Sequence, residues 1–386
     1  MTRHPAPTAG SRSGERAVTG MRGADASAEQ STMRAARFHA RRDIRIERVP
    51  APSVADLASR EVLVRIRECG ICGSNLHEYT DGPIYAPTRP HPITGVSVPV
   101  ILGHEFSGEV VAIGSAVTRV AVGDRIAAMP QIFCGTCSQC LAGRQQTCEN
   151  LAAVGYSGRW GGLAEYGAFR EEQVFPLSEY MTFTQGALVE PTAVAVHAVS
   201  SAPLRPGDAV LVTGGGPIGQ LAALAAVAFG AGSVVLSEPN PGRRTRAAQL
   251  GLAQVVDPRT DDPSLLVAEI TQGRGFDVCI EAAGSQPALD ACFEAVTLGG
   301  VIVQTALGTR PVQLDTSNKL TFRDVTYKGV YCHPVTSWPR VIGLIGSGVL
   351  SADKVVTATI PLEKLADGFE ALLDPAGDAL KIIVRI

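Results

Sequence analysis

Cys72 stands in the stretch ECGICGSNLHEY (residues 68–79), with Cys69 three positions before it and Ser74 and His77 just after. His104 and Glu105 follow in LGHEFSG, and Glu190 in LVEPTAVAVHAV. A thiol, an imidazole and carboxylates from separate segments are soft, intermediate and hard donors. Three of them meeting at a cleft with a fourth position open make the ligand set of a catalytic zinc. Each alone has a plainer reading, since a lone His is usually structural and a lone Cys a small hydrophobe. Cys69 and Cys72 also spell C-x-x-C, the spacing of a redox pair, but no thioredoxin-like strand–helix–strand pattern surrounds them.

A second cluster, CGTCSQCLAGRQQTC, places Cys134, Cys137, Cys140 and Cys148 at C-x2-C-x2-C-x7-C. Four thiolates on one compact loop suit a tetrahedral structural zinc, which leaves no open position for chemistry. An iron–sulfur cluster is the rival. Its bacterial spacing, C-x2-C-x2-C-x3-C-P, is not met, because the last gap is longer and Glu149 follows the final Cys.

VLVTGGGPIGQ gives Gly214-x-Gly216-x-x-Gly219 after an apolar strand and into an Ala-rich helix. The first Gly allows a tight turn, the second a close approach to a pyrophosphate, and the third close helix–strand packing. The helix N-terminus then faces the phosphates. Glu238 ends the next strand-like run, where a carboxylate accepts from both ribose hydroxyls and repels a 2′-phosphate; NAD is therefore favoured over NADP. Arg243 and Arg244 follow, either as cations that soften this preference or as a solvated first helical turn.

Two kinds of element must position these groups. From Met33 to about Phe175 short strand-like runs (EVLVRIREC, EFSGEVVAIG, DRIAAMP, LAEYGAF) are broken by turns. From about Ala209, apolar strands (AVLVTG, SVVLSE, FDVCIEAAG, GVIVQTA) alternate with helical segments (PIGQLAALAAVAFG, ALDACFEAVT). That alternation predicts an α/β domain with a parallel sheet covered on both faces. After about Cys332 the rhythm stops, and a helix-like LEKLADGFEALL and a strand-like LKIIVRI follow.

The 386 residues suffice for two or three domains. A net charge of −3 speaks against nucleic-acid or anionic-membrane partners. No apolar run has the length of a spanning helix. Residues 1–32 are rich in Ala, Arg, Ser, Thr, Gly and Pro and carry almost no large apolar residue. They read as a disordered extension, or as an over-called start with Met33 the functional one. Nine Cys with no signal-peptide pattern suggest a reducing compartment, hence the cytoplasm.

Taken in order, GICGSNLH, GHE, the four-Cys lobe, VEP and GGGPIG resemble the zinc-dependent medium-chain alcohol dehydrogenases, over Met33 to Ile386. The segments MRAARFHARRDIRIERVP, LHEYTDGPIYAPTRPHPITGVSVPVILGHEFSG and SEPNPGRR resemble the bacterial 2,3-butanediol dehydrogenase branch, itself similar to the sorbitol dehydrogenases. The resemblance implies a GroES-like β-rich catalytic domain over residues 33–190 and 333–386, with a structural-zinc lobe at 134–148. It implies a Rossmann doubly wound parallel-sheet domain over 191–332.

It also implies two zinc ions per chain and NAD. Cys72 and His104 become catalytic-zinc ligands with a carboxylate, Glu105 or Glu190, as the third, and Cys69 is not a ligand. Ser74 and His77 become a proton relay. The implied substrate is a secondary alcohol or vicinal diol, foremost 2,3-butanediol with acetoin; sorbitol, threonine and other secondary alcohols are the alternatives. The implied assembly is a homodimer or homotetramer. A non-catalytic NAD- and zinc-binding regulator, or a zinc-free reductase, is a competing class; the second would lack Cys72 and the lobe. The chain departs from the family at Asn75, where an Asp usually orients a ligand imidazole. Asn75 keeps an acceptor and loses the charge, so an active enzyme with shifted pH dependence is expected.

Overall fold

The computed structural model describes residues 31–386, other than Ala253, Asp262 and Thr309. Of the expected N-terminal extension, residues 1–30 lie outside the described residues, while Thr32 already opens the strand Thr32–Ala40.

The first sheet is built around Glu61–Gly70, a β-branched run that pairs antiparallel with Glu105–Ile113, Tyr166–Arg170 and Lys381–Arg385. Its order is Val174–Pro176, Arg125–Ala128, Glu105–Ile113, Glu61–Gly70, Lys381–Arg385, Val356–Pro361. Val64, Ile66, Phe106, Val110, Phe169 and Val384 pack into one core beneath it. Segments at both ends of the chain thus share a single sheet, and this brings Lys381 beside residues near position 70.

The second sheet runs Gln254–Val256, Ser233–Ser237, Ala209–Thr213, Phe276–Glu281, Val296–Gln304, Thr326–Gly329, with every pair parallel. Alternate side chains go to opposite faces, as the pleat requires. Val210, Val212, Leu236 and Ile280 join Val196, Leu221 and Ala225 in one core. Leu211, Val235, Cys279 and Ile302 join Leu289 and Phe293 in another. Both faces are covered, so the strands carry no polar stripe. The first of these cores also takes in Phe175, Met181 and Trp338, so apolar packing runs continuously from one sheet to the other. The strand order reverses between Ala209–Thr213 and Phe276–Glu281, the switch point where doubly wound sheets bind their ligands.

No helix among the described residues is long and apolar enough to cross a membrane.

Candidate active site

Strand Glu61–Gly70 ends beside Glu105: Gly70 pairs with it, and a Cβ at Gly70 would collide with its carboxylate. Two residues on, Cys72 caps the helix Gly73–Asp81 in an extended conformation. The Asn75 side-chain carbonyl accepts from the Cys72 N–H at 3.1 Å and fixes that turn. Ser74 and His77, three apart, share a face of this helix. Gly103, at φ 95°, precedes His104, and a Cβ there would meet Leu163 N at 2.7 Å and Cys69 Sγ at 2.8 Å. Cys69 is therefore a fully buried packing residue under Gly103 and Gly162, and the thiols of Cys69 and Cys72 are free.

The ligand atoms of Cys72, His104 and Glu105 lie within 4.8 Å of one another. Glu190 does not join that tight group; it sits on the first turn of the helix Val189–Ser200, with its Oε1 3.4 Å from His333 Nε2. Lys381 donates to both Glu105 oxygens, at 2.8 and 2.7 Å, and to the Ile71 carbonyl at 3.0 Å. Burial, and then the Glu105 charge, push Cys72 up to about 12. Glu190 is held below the usual carboxyl range: burial opposes this, while His333 and His104 bring it about. His104 Nδ1 is buried with no hydrogen-bond partner. A thiol, two carboxylates and an unsatisfied imidazole share one desolvated pocket with a single ammonium, and a divalent cation suits this donor set.

The Nδ1 of fully buried His333 accepts from the Trp338 indole N–H at 3.0 Å. Its proton is therefore on Nε2, which lies 3.4 Å from Glu190 Oε1 and makes no hydrogen bond among the described residues. The Asn75 amide donates to the Tyr156 hydroxyl at 2.9 Å, Tyr156 donates to Ser74 Oγ at 2.8 Å, and Ser74 Oγ lies 3.5 Å from His104 Nε2. The Asn75 oxygen serves the Cys72 N–H and its nitrogen serves Tyr156, so it does not touch the imidazole. Burial raises the Tyr156 hydroxyl well above its ordinary value, which keeps it a proton donor. The Tyr156 ring also lies against the His104 ring, with centroids 5.1 Å apart.

In the second cluster, Sγ–Sγ separations are 3.5 Å (Cys134–Cys148) and 3.9 Å (Cys134–Cys140, Cys137–Cys148). A tetrahedron with bonds of ~2.3 Å has edges of about 3.8 Å, so one zinc fits without rearrangement. An iron–sulfur cluster would hold the thiolates further apart. Backbone N–H groups of Thr136 and Cys137 lower Cys134 to about 6, while burial pushes Cys140 up to about 12. The strands Gln131–Ile132 and Ala152–Ala153 pair at the neck of this lobe and fix it to the sheet.

At the switch point, Gly214 has φ 96°, and a Cβ on Gly219 would strike the Gly214 carbonyl. A Cβ on Gly216 would meet nothing within 4 Å, which leaves that side open to a ligand. Glu238, buried, accepts from Gly215 N at 2.6 Å and Asn240 N at 2.7 Å. Arg244 is committed to Asp257 at 2.9 Å, whereas the buried Nε of Arg243 has no hydrogen-bond partner among the described residues. The open cradle, the helix N-terminus and the pinned acid fit a dinucleotide.

The sequence did not single out Gly215, Tyr156, His333, Trp338 or Lys381. The run of three glycines was the available signal for Gly215, and the other four have no local one.

The alcohol dehydrogenase GroES-like domain family matches residues 58–179, and the zinc-binding dehydrogenase family matches residues 217–347. The (R,R)-butanediol dehydrogenase of Bacillus subtilis (strain 168) is 40% identical over 356 residues, 92% of this chain and 99% of that protein. The sorbitol dehydrogenase of the same strain is 33% identical over 355 residues, 91% of this chain and 97% of its own. The crystal structure of 2R,3R-butanediol dehydrogenase from B. subtilis superposes with a TM-score of 0.84 at 38% identity, covering 92% of this chain and 99% of that one. The chain belongs to the zinc-binding alcohol dehydrogenases of the medium-chain type, with a GroES-like lobe and a Rossmann sheet meeting at the site built above.

Proposed function

We propose that this chain transfers a hydride between NAD(H) and a vicinal diol or its α-hydroxyketone, with 2,3-butanediol and acetoin as the leading pair. The observation that carries this reading is the convergence of Cys72, His104 and a carboxylate beside Ser74, in a chain so similar to a butanediol dehydrogenase. Zinc supplies the positive charge that makes the bound hydroxyl acidic, and NAD supplies the hydride acceptor. Cys72 and His104 hold the metal. Glu190 is the favoured third ligand, because Lys381 already occupies both oxygens of Glu105 while Glu190 has only His333 Nε2 nearby, 3.4 Å from Oε1 and without a hydrogen bond.

Ser74 accepts the proton released by the alcohol, and His77, one turn further on the same face, passes it towards solvent. Gly214, Gly216 and Gly219 admit the pyrophosphate, and Glu238 receives the ribose hydroxyls. The engagement of Arg244 by Asp257 removes one cation that could receive a 2′-phosphate, which supports NAD over NADP, while Arg243 beside the cradle softens that preference. The four-Cys lobe holds a second zinc for structure alone.

The chain is also read as a homodimer or homotetramer. The edge strand Thr326–Gly329 is mostly exposed and pairs on one side only among the described residues.

The test is NADH absorbance on adding butanediol isomers, acetoin, sorbitol, threonine and simple secondary alcohols, with NAD and NADP in parallel. The highest kcat/KM is expected with butanediol and NAD; preference for sorbitol or threonine would replace the substrate assignment. Elemental analysis is expected to give about two zinc ions per chain, and one or none would remove the corresponding site.

A further inference from the structure

Each hydrogen bond in the chain running from Cys72 to Ser74 has a direction that chemistry fixes. The Cys72 backbone N–H only donates, so the Asn75 atom 3.1 Å away is its carbonyl oxygen, and the amide orientation is settled. The Asn75 nitrogen must then donate to the Tyr156 oxygen, at 2.9 Å. The Asn75 nitrogen offers Tyr156 no acceptor, so the one proton of Tyr156 goes to the other polar atom bonded to it, Ser74 Oγ at 2.8 Å. Asn75 is fully buried and Tyr156 nearly so, so no bulk water competes for these bonds.

We infer that Tyr156 is a positioning residue whose direction Asn75 sets, and that the pair keeps the Ser74 proton pointing outward into the relay. Ser74 Oγ then has one lone pair filled by Tyr156 and one free for the substrate hydroxyl. As the alcohol O–H breaks, Ser74 Oγ takes that proton and releases its own towards His77, while the carbon bearing that oxygen gives its hydride to NAD and becomes a carbonyl. An Asp at 75 would reverse the chain. A carboxylate only accepts, so Tyr156 would donate to it, and Ser74 would donate to Tyr156. The Ser74 proton would then point away from the route out.

This inference rests on the dehydrogenase reading, and its test has an arm that does not. Neutron diffraction from D2O-exchanged crystals of the zinc-loaded protein is expected to show a deuteron on Tyr156 Oη directed at Ser74 Oγ. A deuteron on Ser74 Oγ directed at Tyr156 would overturn the inference even if every diol were oxidised. In kinetics, Tyr156→Phe is expected to lower kcat about tenfold with KM and the NADH dissociation constant unchanged. Asn75→Asp should lower kcat to a similar extent in the otherwise unmodified chain and add nothing in the Tyr156→Phe background. Independent, additive losses would show that Asn75 acts by another route and would overturn the inference. Zinc content and far-ultraviolet circular dichroism establish that each variant is folded. If the unmodified chain oxidises no alcohol, the functional reading falls, and the deuteron position still decides this one.

Discussion

His333 has one proton, and the Trp338 indole decides which nitrogen carries it. The protonated Nε2 lies 3.4 Å from Glu190 Oε1, so losing the imidazole leaves a proposed metal ligand without its polar neighbour. His333→Leu is expected to raise the dissociation constant of the catalytic zinc by about 10–100-fold while the four-thiolate site keeps its metal. Competition with a chromophoric chelator reads both constants, and an unchanged weaker-site constant would mean that Glu190 needs no such support. Gly215 is a matching case on the cofactor side. A Cβ there would meet Glu238 Cβ and Cγ at 2.8 Å, so Gly215→Ala displaces the acid. The expected result is a rise of about tenfold in the NADH dissociation constant, equivalent to ~1.4 kcal/mol, measured by fluorescence titration. Cys72 and His104 are legible in the sequence because each sits in a short motif. Tyr156 and Lys381 are not, because their partners Asn75 and Glu105 lie 81 and 276 residues away. Asn75 stood out as unusual, but what it touches depends on an aromatic residue in a Gly-rich turn that no periodicity marks.

Elements were more legible than contacts. AVLVTG, SVVLSE and FDVCIEAAG correspond to the strands Ala209–Thr213, Ser233–Ser237 and Phe276–Glu281, because an all-apolar run between glycines can satisfy a doubly covered sheet in few other ways. The run GVIVQTA falls short: its strand begins at Val296, which pairs with Phe276 before a bulge, and the ladder resumes where Val301 faces Val278. Bulges leave no mark in hydrophobic alternation. The helix Pro241–Ala248 is tied to the segment after strand Gln254–Val256 by Asp257. Asp257 accepts from Arg259 at 2.9 and 2.7 Å and pairs with Arg244 at 2.9 Å. Arg259 first, then Arg244, hold this carboxyl well below the usual range. Its stabilising effect is therefore complete above the ordinary carboxyl value near ~4 and is lost as pH falls towards the lower folded value. Asp257→Asn is expected to lower the urea midpoint at pH 7 and to flatten its decline below about pH 4. Parallel acid dependences for both proteins would remove the clip.

At the scale of the molecule, the proposed metal ligand Cys72 follows a strand of the first sheet, and the Gly214–Gly219 cradle with Glu238 lies at strand ends of the second. The functions should therefore separate. Cys72→Ser is expected to abolish turnover while the NADH dissociation constant stays within about twofold, the usual limit of coupling between distant sites. Near-normal rates would show that Cys72 is not a ligand, and loss of NADH binding would show that the sheets do not act independently.

The central place of Lys381–Arg385 in the first sheet also has a consequence for biogenesis. A ribosome that has polymerised Glu105 must add 276 more residues before it supplies Lys381. At ~5–20 residues per second that takes about 15–55 s. Throughout that interval the nascent carboxylate has no ammonium to neutralise it, and the slot beside residues 61–70 has no strand. The metal centre can thus mature only once Lys381 has been made, and a nonsense codon ahead of that triplet would release a polypeptide holding Cys72, His104 and the dinucleotide cradle but no finished centre.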